Sequence, residues 1–339
     1  MKRFFCNCGS EVYFDNTHCG ACGSQLGFDT ETLELLSLQK QGNIWQAQTP
    51  HGLKRYKSCG HRDHDLQCNW LLSEQSKALQ CISCSMTRTI PMLSLPDNLR
   101  RWQALESCKR RMIYGLLQLD LPLFSSASPE NILIFDFLED KRANPEVEIE
   151  HVNSGHANGV ITLNAAEADA SYREAAKQAM NEPYRTLLGH FRHEIGHFYW
   201  NLLIKDSKYY AEFRQVFGDE TRDYRASLDS YYASGPADDW QENYISAYAS
   251  AHPLEDWAET WAHYLLMMET LETALSYDLI DGLEGEHFTD SWMSEWMQLV
   301  VVMNALNRSM GHGDAYPFVV SDTVQRKLRF VRDLVRKGH

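Results

Sequence analysis

LLGHFRHEIGHFYWNLL, residues 187–203, contains the motif His193-Glu194-Ile195-Gly196-His197. On a helix, His193 and His197 lie four residues apart and leave the same face, so both imidazoles can bind one metal ion. Glu194 follows the first His and is placed to hold the water that completes a zinc coordination shell. Zinc with three protein ligands and one open position brings the pKa of that water down to about 7. In a chain with 14 His in 339 residues, chance supplies an H-E-x-x-H only about 0.04 times. Leu187, Leu188, Phe191, Ile195, Phe198 and Leu202 carry the apolar spacing of a packed helix. Asn181 and Pro183 are the expected cap and first turn.

Two His leave zinc one protein ligand short. A third His in the H-E-x-x-H-x-x-G-x-x-H pattern requires Gly at 200 and His at 203, where the chain has Trp200 and Leu203. The other solution is a carboxylate on a second helix. HPLEDWAETWAH, residues 252–263, offers Glu255 and Glu259 on one helical face. One can bind zinc while the other takes the N–H of a ligating His and fixes its tautomer. His190, one turn before the motif, and His263, one turn beyond Glu259, are expected to pack or hydrogen-bond in the ordinary way.

Eight of the nine Cys fall in the first quarter of the chain. Cys6-x-Cys8-Gly9 followed by Cys19-x-x-Cys22-Gly23 brings four thiolates together at tight turns, as a closed structural zinc site requires. Cys59, Cys68 and Cys81-x-x-Cys84 form a second, less regular set; His61 and His64 are expected to be solvated loop histidines, with substitution for one of the set as the alternative. Without a secretion signal, metal ligation is a better reading than a disulfide framework. Cys108 falls on the apolar face of a later helix and is expected to be a buried small hydrophobe.

The net charge of −14 is uneven, with 14 Lys and Arg against 10 Asp and Glu in residues 1–112 and a strongly acidic remainder. An acidic body excludes a protein built mainly to coat nucleic acid, although the basic front end keeps such a contact open there. The longest clean apolar run, Leu299–Met303, is far short of the roughly 20 residues that span a bilayer. A cytoplasmic location with no membrane contact is therefore expected. The repeat Leu99, Trp102, Leu105, Cys108, Met112, Ile113, Leu116 predicts a helix after Asp97, with Lys109-Arg110-Arg111 on a solvated face. Strands are expected over 131–138, 147–152 and 159–163, and mostly helix follows. Strands first and helices after indicate an α+β fold, a small sheet beside a helical body.

The His193–His197 motif with Glu255 and Glu259 resembles the gluzincin metallopeptidases, in which a ligand Glu precedes a second acidic residue by four positions. The resemblance implies Glu255 as ligand and Glu259 as the partner of a ligating His. A lethal-factor-like toxin branch of that class carries Tyr seven residues before the ligand Glu, which implies a catalytic role for Tyr248. CNCGSEVYFDN, TRTIPMLS, HANGVITLN, HEIGHFYW, SAYASAHPLEDWAETWAHY and YPFVVSD together resemble a bacterial family of zinc-binding metallopeptidases with an N-terminal zinc-ribbon region. The likeness covers nearly the whole chain. It implies a zinc-ribbon region over 1–90 and a zincin-like peptidase domain over 91–339.

The expected protein is then a zinc metallopeptidase with Glu194 as general base, one catalytic zinc, up to two structural zinc ions and a peptide or protein substrate. The rival expectation is an inactive zinc-ribbon adaptor that contacts a protein or nucleic acid. If the chain is a peptidase, the strand GVITLN (159–164) is expected to be the sheet edge to which an extended peptide adds.

Overall fold

The computed structural model describes residues 1–124, 132–142, 144–179, 185–280 and 291–337. Asn131, Asn181 and Pro183, singled out above, lie outside them. The chain opens with β1 (Phe4–Phe5) and β2 (Glu11–Val12), whose turn carries Cys6 and Cys8. An antiparallel sheet follows, made of β3 (Gln25–Asp29), β4 (Glu34–Gln41), β5 (Ile44–Thr49), β6 (Gly52–Ser58) and β7 (Leu71–Ser73). Its first and last strands meet again where Phe28 N–H donates to Asn69 O at 2.8 Å. Gly27 permits this closure, since a Cβ there would lie 2.6 Å from a Leu71 methyl. The cysteine spacing gives no hint of this sheet. The apolar cluster Leu35, Leu36 and Leu38, and the positive-φ turn at Gly42, are the signals that mark it.

After α1 (Ile82–Ser85), β8 (Thr87–Thr89) leads through the proline-bearing connector into α2 (Asn98–Gln118). A second sheet comprises β8, β9 (Ile134–Leu138), β10 (Gly155–Ala157) and β11 (Val160–Asn164), in the order β10-β11-β9-β8. From there the chain is helical: α3 (Ala170–Ala179), α4 (Leu187–Tyr199), α5 (Tyr210–Phe217), α6 (Tyr224–Ser234), α7 (Trp240–Asn243), α8 (Pro253–Ser276), α9 (Trp292–Ser309) and α10 (Asp322–Arg336). The expected α+β arrangement, a Cys-rich front region and a mainly helical body with a small sheet, is the one observed. Among the described residues no helix is long and apolar enough to cross a membrane.

Three expectations are corrected. Of Lys109-Arg110-Arg111 only Arg111 is exposed: Lys109 is fully buried and Arg110 nearly so. The helix α2 is covered on two sides: Tyr114 packs edge-on to Phe14 and Phe28 of the front region (5.4 and 5.9 Å between centroids), while Lys109 lies over Phe135 and Phe137 of the second sheet. Lys109 Nζ is compensated by Glu106 at 2.9 Å. Residues 147–152 form no strand. Asn158-Gly159, with φ of 49° and 82°, makes a two-residue turn that pairs 155–157 with 160–162 instead. Finally, β11 is no edge. It is hydrogen-bonded to β10 on one side and to β9 on the other, so among the described residues the free edge beside the helices belongs to β10.

The site depends on how closely α4 approaches α8. Thr186 starts α4 by accepting from Gly189 N–H at 3.0 Å. His252 caps α8 through Nδ1, which accepts from Leu254 N–H at 3.1 Å, and Pro253 opens its first turn. Where the helices meet, a Cβ on Gly196 would lie 2.9 Å from Ala258 Cα. Only glycine at 196 lets the two backbones come this near. Trp257 Nε1 donates to Gly196 O at 2.7 Å across the same contact, and Phe191 on α4 packs against Phe135 and Phe137.

Candidate metal centre

The close approach of α4 and α8 gathers the side chains that the sequence singles out. His193 Nε2 lies 3.1 Å from Glu255 Oε2, and His197 Nε2 lies 3.5 Å from Glu255 Oε1. One ligand atom from each of the three residues falls within 4.8 Å of the others. Glu259, one turn along α8, takes the other side of the ring: His193 Nδ1 donates to its Oε1 at 2.7 Å. Ser246 Oγ donates to Glu259 Oε2 at 2.6 Å, and Tyr224 Oη donates to Glu255 Oε1 at 2.6 Å. Neither Tyr224 nor Ser246 carries a motif, so sequence reasoning missed both.

Burial works to raise the Glu255 carboxyl, but the imidazoles of His197 and His193 and the Tyr224 hydroxyl outweigh it and hold it well below the usual carboxylate range. Burial is likewise overcome at Glu259, chiefly by His193, and its carboxyl is brought down to about 2. Glu194 is also lowered against its burial, by His190 and the neighbouring imidazoles. Tyr248 stands beside His193 with ring centroids 6.0 Å apart. Burial, followed by the charge of Glu255, raises its hydroxyl well above the ordinary value. His263 stands outside the ligand group, its Nδ1 2.8 Å from Tyr316 Oη, and burial lowers it to about 4.

His193, Glu194, Tyr248 and Glu259 line a cleft of about 550 Å³. Apolar Ala262, Leu266 and Phe318 line it too, as does the segment 151–154 that leads into β10.

The two cysteine sets also converge: Cys6, Cys8, Cys19 and Cys22 in one, Cys59, Cys68, Cys81 and Cys84 in the other. Sulfur separations are 3.6 and 3.7 Å in the first set and 3.7 Å between Cys68 and Cys81. Four sulfurs each about 2.3 Å from a tetrahedral zinc are about 3.8 Å apart, so both sets fit zinc. Backbone amides point at the sulfurs of the second set, Cys81 N–H to Cys59 Sγ and Cys84 N–H to Cys81 Sγ. His61 instead packs against Trp102, and His64 is exposed. Cys108 is half-buried, outside both sets.

Residues 98–334 match the family described as "Putative zinc-binding metallo-peptidase", and residues 3–95 match a zinc-ribbon domain. The chain belongs to that metallopeptidase family. It is 38% identical to uncharacterized proteins of Mycobacterium bovis and Mycobacterium tuberculosis over 345 residues, covering 99% of this chain and 95% of each relative. No solved structure matches it. Zinc binding and a peptide or protein substrate follow from the family at that level of description.

Proposed function

We propose that the chain is a zinc-dependent peptidase whose reaction is run by α4 and α8. The observation that carries this reading is the convergence of His193 Nε2, His197 Nε2 and Glu255 beside Glu194 at the wall of a cleft. These three residues would hold the catalytic zinc, and the two cysteine sets would hold structural zinc. When bound at the first site, the ion supplies Lewis acidity to a water and to the scissile carbonyl. Glu194, kept ionised, accepts the proton of the attacking water on its carboxylate and delivers it to the leaving amine. Glu259, itself held by Ser246, fixes the Nδ1–H tautomer of His193 and so presents Nε2 to the ion. Tyr248, whose burial keeps the hydroxyl protonated, donates to the carbonyl oxygen as negative charge develops there. An extended substrate lies along β10, the free edge beside the cleft.

The test pairs metal analysis with cleavage of a peptide library. Parent and Glu194→Gln should each bind three zinc ions, while the variant cleaves about 10²- to 10⁴-fold more slowly. Equal cleavage by the two proteins defeats the proposal.

A further inference from the structure

One turn before the motif, His190 is tied into a chain of buried charges. Its Nε2 lies 3.2 Å from Glu194 Oε1. On the other side of the ring, Nδ1 stands 3.6 Å from Glu167 Oε2, an ionic contact rather than a hydrogen bond. Glu167 comes from the turn that follows β11, is 4% exposed, and is held through Oε1 by Arg185 Nη2 at 3.2 Å. Four ionisable groups from three parts of the chain thus alternate in sign: Arg185, Glu167, His190, Glu194. All four line the cleft.

We propose that His190 and Glu167 are positioning residues for Glu194: His190 clamps its carboxylate, and Glu167 anchors the clamp. The inference rests on Glu194 being the general base. His190 occupies Oε1, and Oε2 has no protein partner among the described residues, so the oxygen left for water is defined. A buried carboxylate without such a donor has neither a fixed rotamer nor compensation for its charge. An imidazole hydrogen-bonded to Glu194 through one nitrogen can itself be held only from the other, which is where Glu167 stands. Burial acts to lower the His190 ring, but Glu167 and Glu194 together push it up to about 9, so it stands between them as a cation.

Two measurements decide this. In peptide cleavage, His190→Phe should lower kcat roughly tenfold to a hundredfold with KM and the count of three zinc ions unchanged. His190→Gln should recover part of the loss, because its amide can still donate to Oε1. Glu167→Gln should lower kcat less, in the same direction. Parental kcat in His190→Phe, or no recovery in His190→Gln, overturns the proposal. The second measurement needs no substrate. In the zinc-loaded protein labelled with 15N-histidine, the His190 ring should carry protons on both nitrogens at neutral pH and lose one in Glu167→Gln. A singly protonated His190 in the parent overturns the chain even if the parent cleaves nothing; an inactive parent with a doubly protonated His190 removes the peptidase reading and leaves the clamp standing.

Discussion

The second cysteine set and the His193–Glu255 group are opposite kinds of candidate metal site. Cys59, Cys68, Cys81 and Cys84 are all buried, close in on every side and draw backbone amides onto their sulfurs. The other group offers three ligands from two separate helices, and one of them, His193, lines a cleft. A closed sulfur set replaces a core that a short segment cannot build for itself. An open set gains nothing in folding from its vacant side, so its geometry must be imposed from outside, by Gly196, Glu259, Ser246 and Tyr224. Damage to the first should therefore appear as lost folding, and damage to the second as lost metal in a folded protein.

The largest effect is expected at Cys68, which is 0% exposed. Structural zinc contributes apparent binding energies of about 10–16 kcal/mol to small domains, and Cys68→Ser should forfeit enough of this to expose residues 1–95 to proteolysis, with zinc falling to two per chain. Retention of three zinc and parental protease resistance would erase the contrast. Next comes Gly196→Ala. The added methyl meets Ala258 backbone at 2.9 Å, and overpacking of this kind costs about 1–3 kcal/mol. Chemical denaturation should report that loss, and the third zinc should dissociate more readily while the sulfur-bound pair stays.

A finer probe is Glu259→Gln, which keeps the size of the side chain but weakens its grip on His193 Nδ1–H. Affinity for the third zinc should fall about 10- to 100-fold, read by competition with a chelating dye, with the melting curve little changed. An unaltered affinity would show that the tautomer of His193 is set by something else. Smallest of all, Cys108→Ala should leave three zinc per chain and cost less than about 1.5 kcal/mol, since Cys108 stands outside both sulfur sets.

The parts of this centre that were legible in the sequence are those whose spacing is set by one helix. His193 with His197, and Glu255 with Glu259, are each four residues apart, and helical geometry alone puts such pairs on one face. The cysteine pairs were readable for the same reason, since a knuckle is local. What the sequence hid is whatever must cross from one element to another. Tyr224 reaches Glu255 from α6, Ser246 reaches Glu259 from the segment before α8, and Glu167 reaches His190 from beyond β11. No periodicity encodes those meetings. The sheet edge was misplaced for a different reason. The apolar run 160–163 suits an edge or an interior strand equally well, while the Asn158-Gly159 turn was the signal that 155–157 folds back outside it. Lys109 and Arg110 escape the sequence pattern because α2 is covered on two sides, which leaves Arg111 but not its two neighbours in solvent.

β8 raises the question of where one folding unit stops. It comes directly after the second cysteine set, yet it pairs with β9, and Thr87 at its start hydrogen-bonds to the buried Glu106 and Lys109. A chain begun at residue 91 would carry the whole metal centre on its helices but present β9 with a bare row of backbone donors and acceptors, the kind of edge along which chains stack into aggregates. It would also leave Lys109 and Glu106 beside a gap. The front region thus works as a sewn-in hem for the second sheet, and a chain truncated there should be lost first to precipitation, before any defect at the metal centre can be seen.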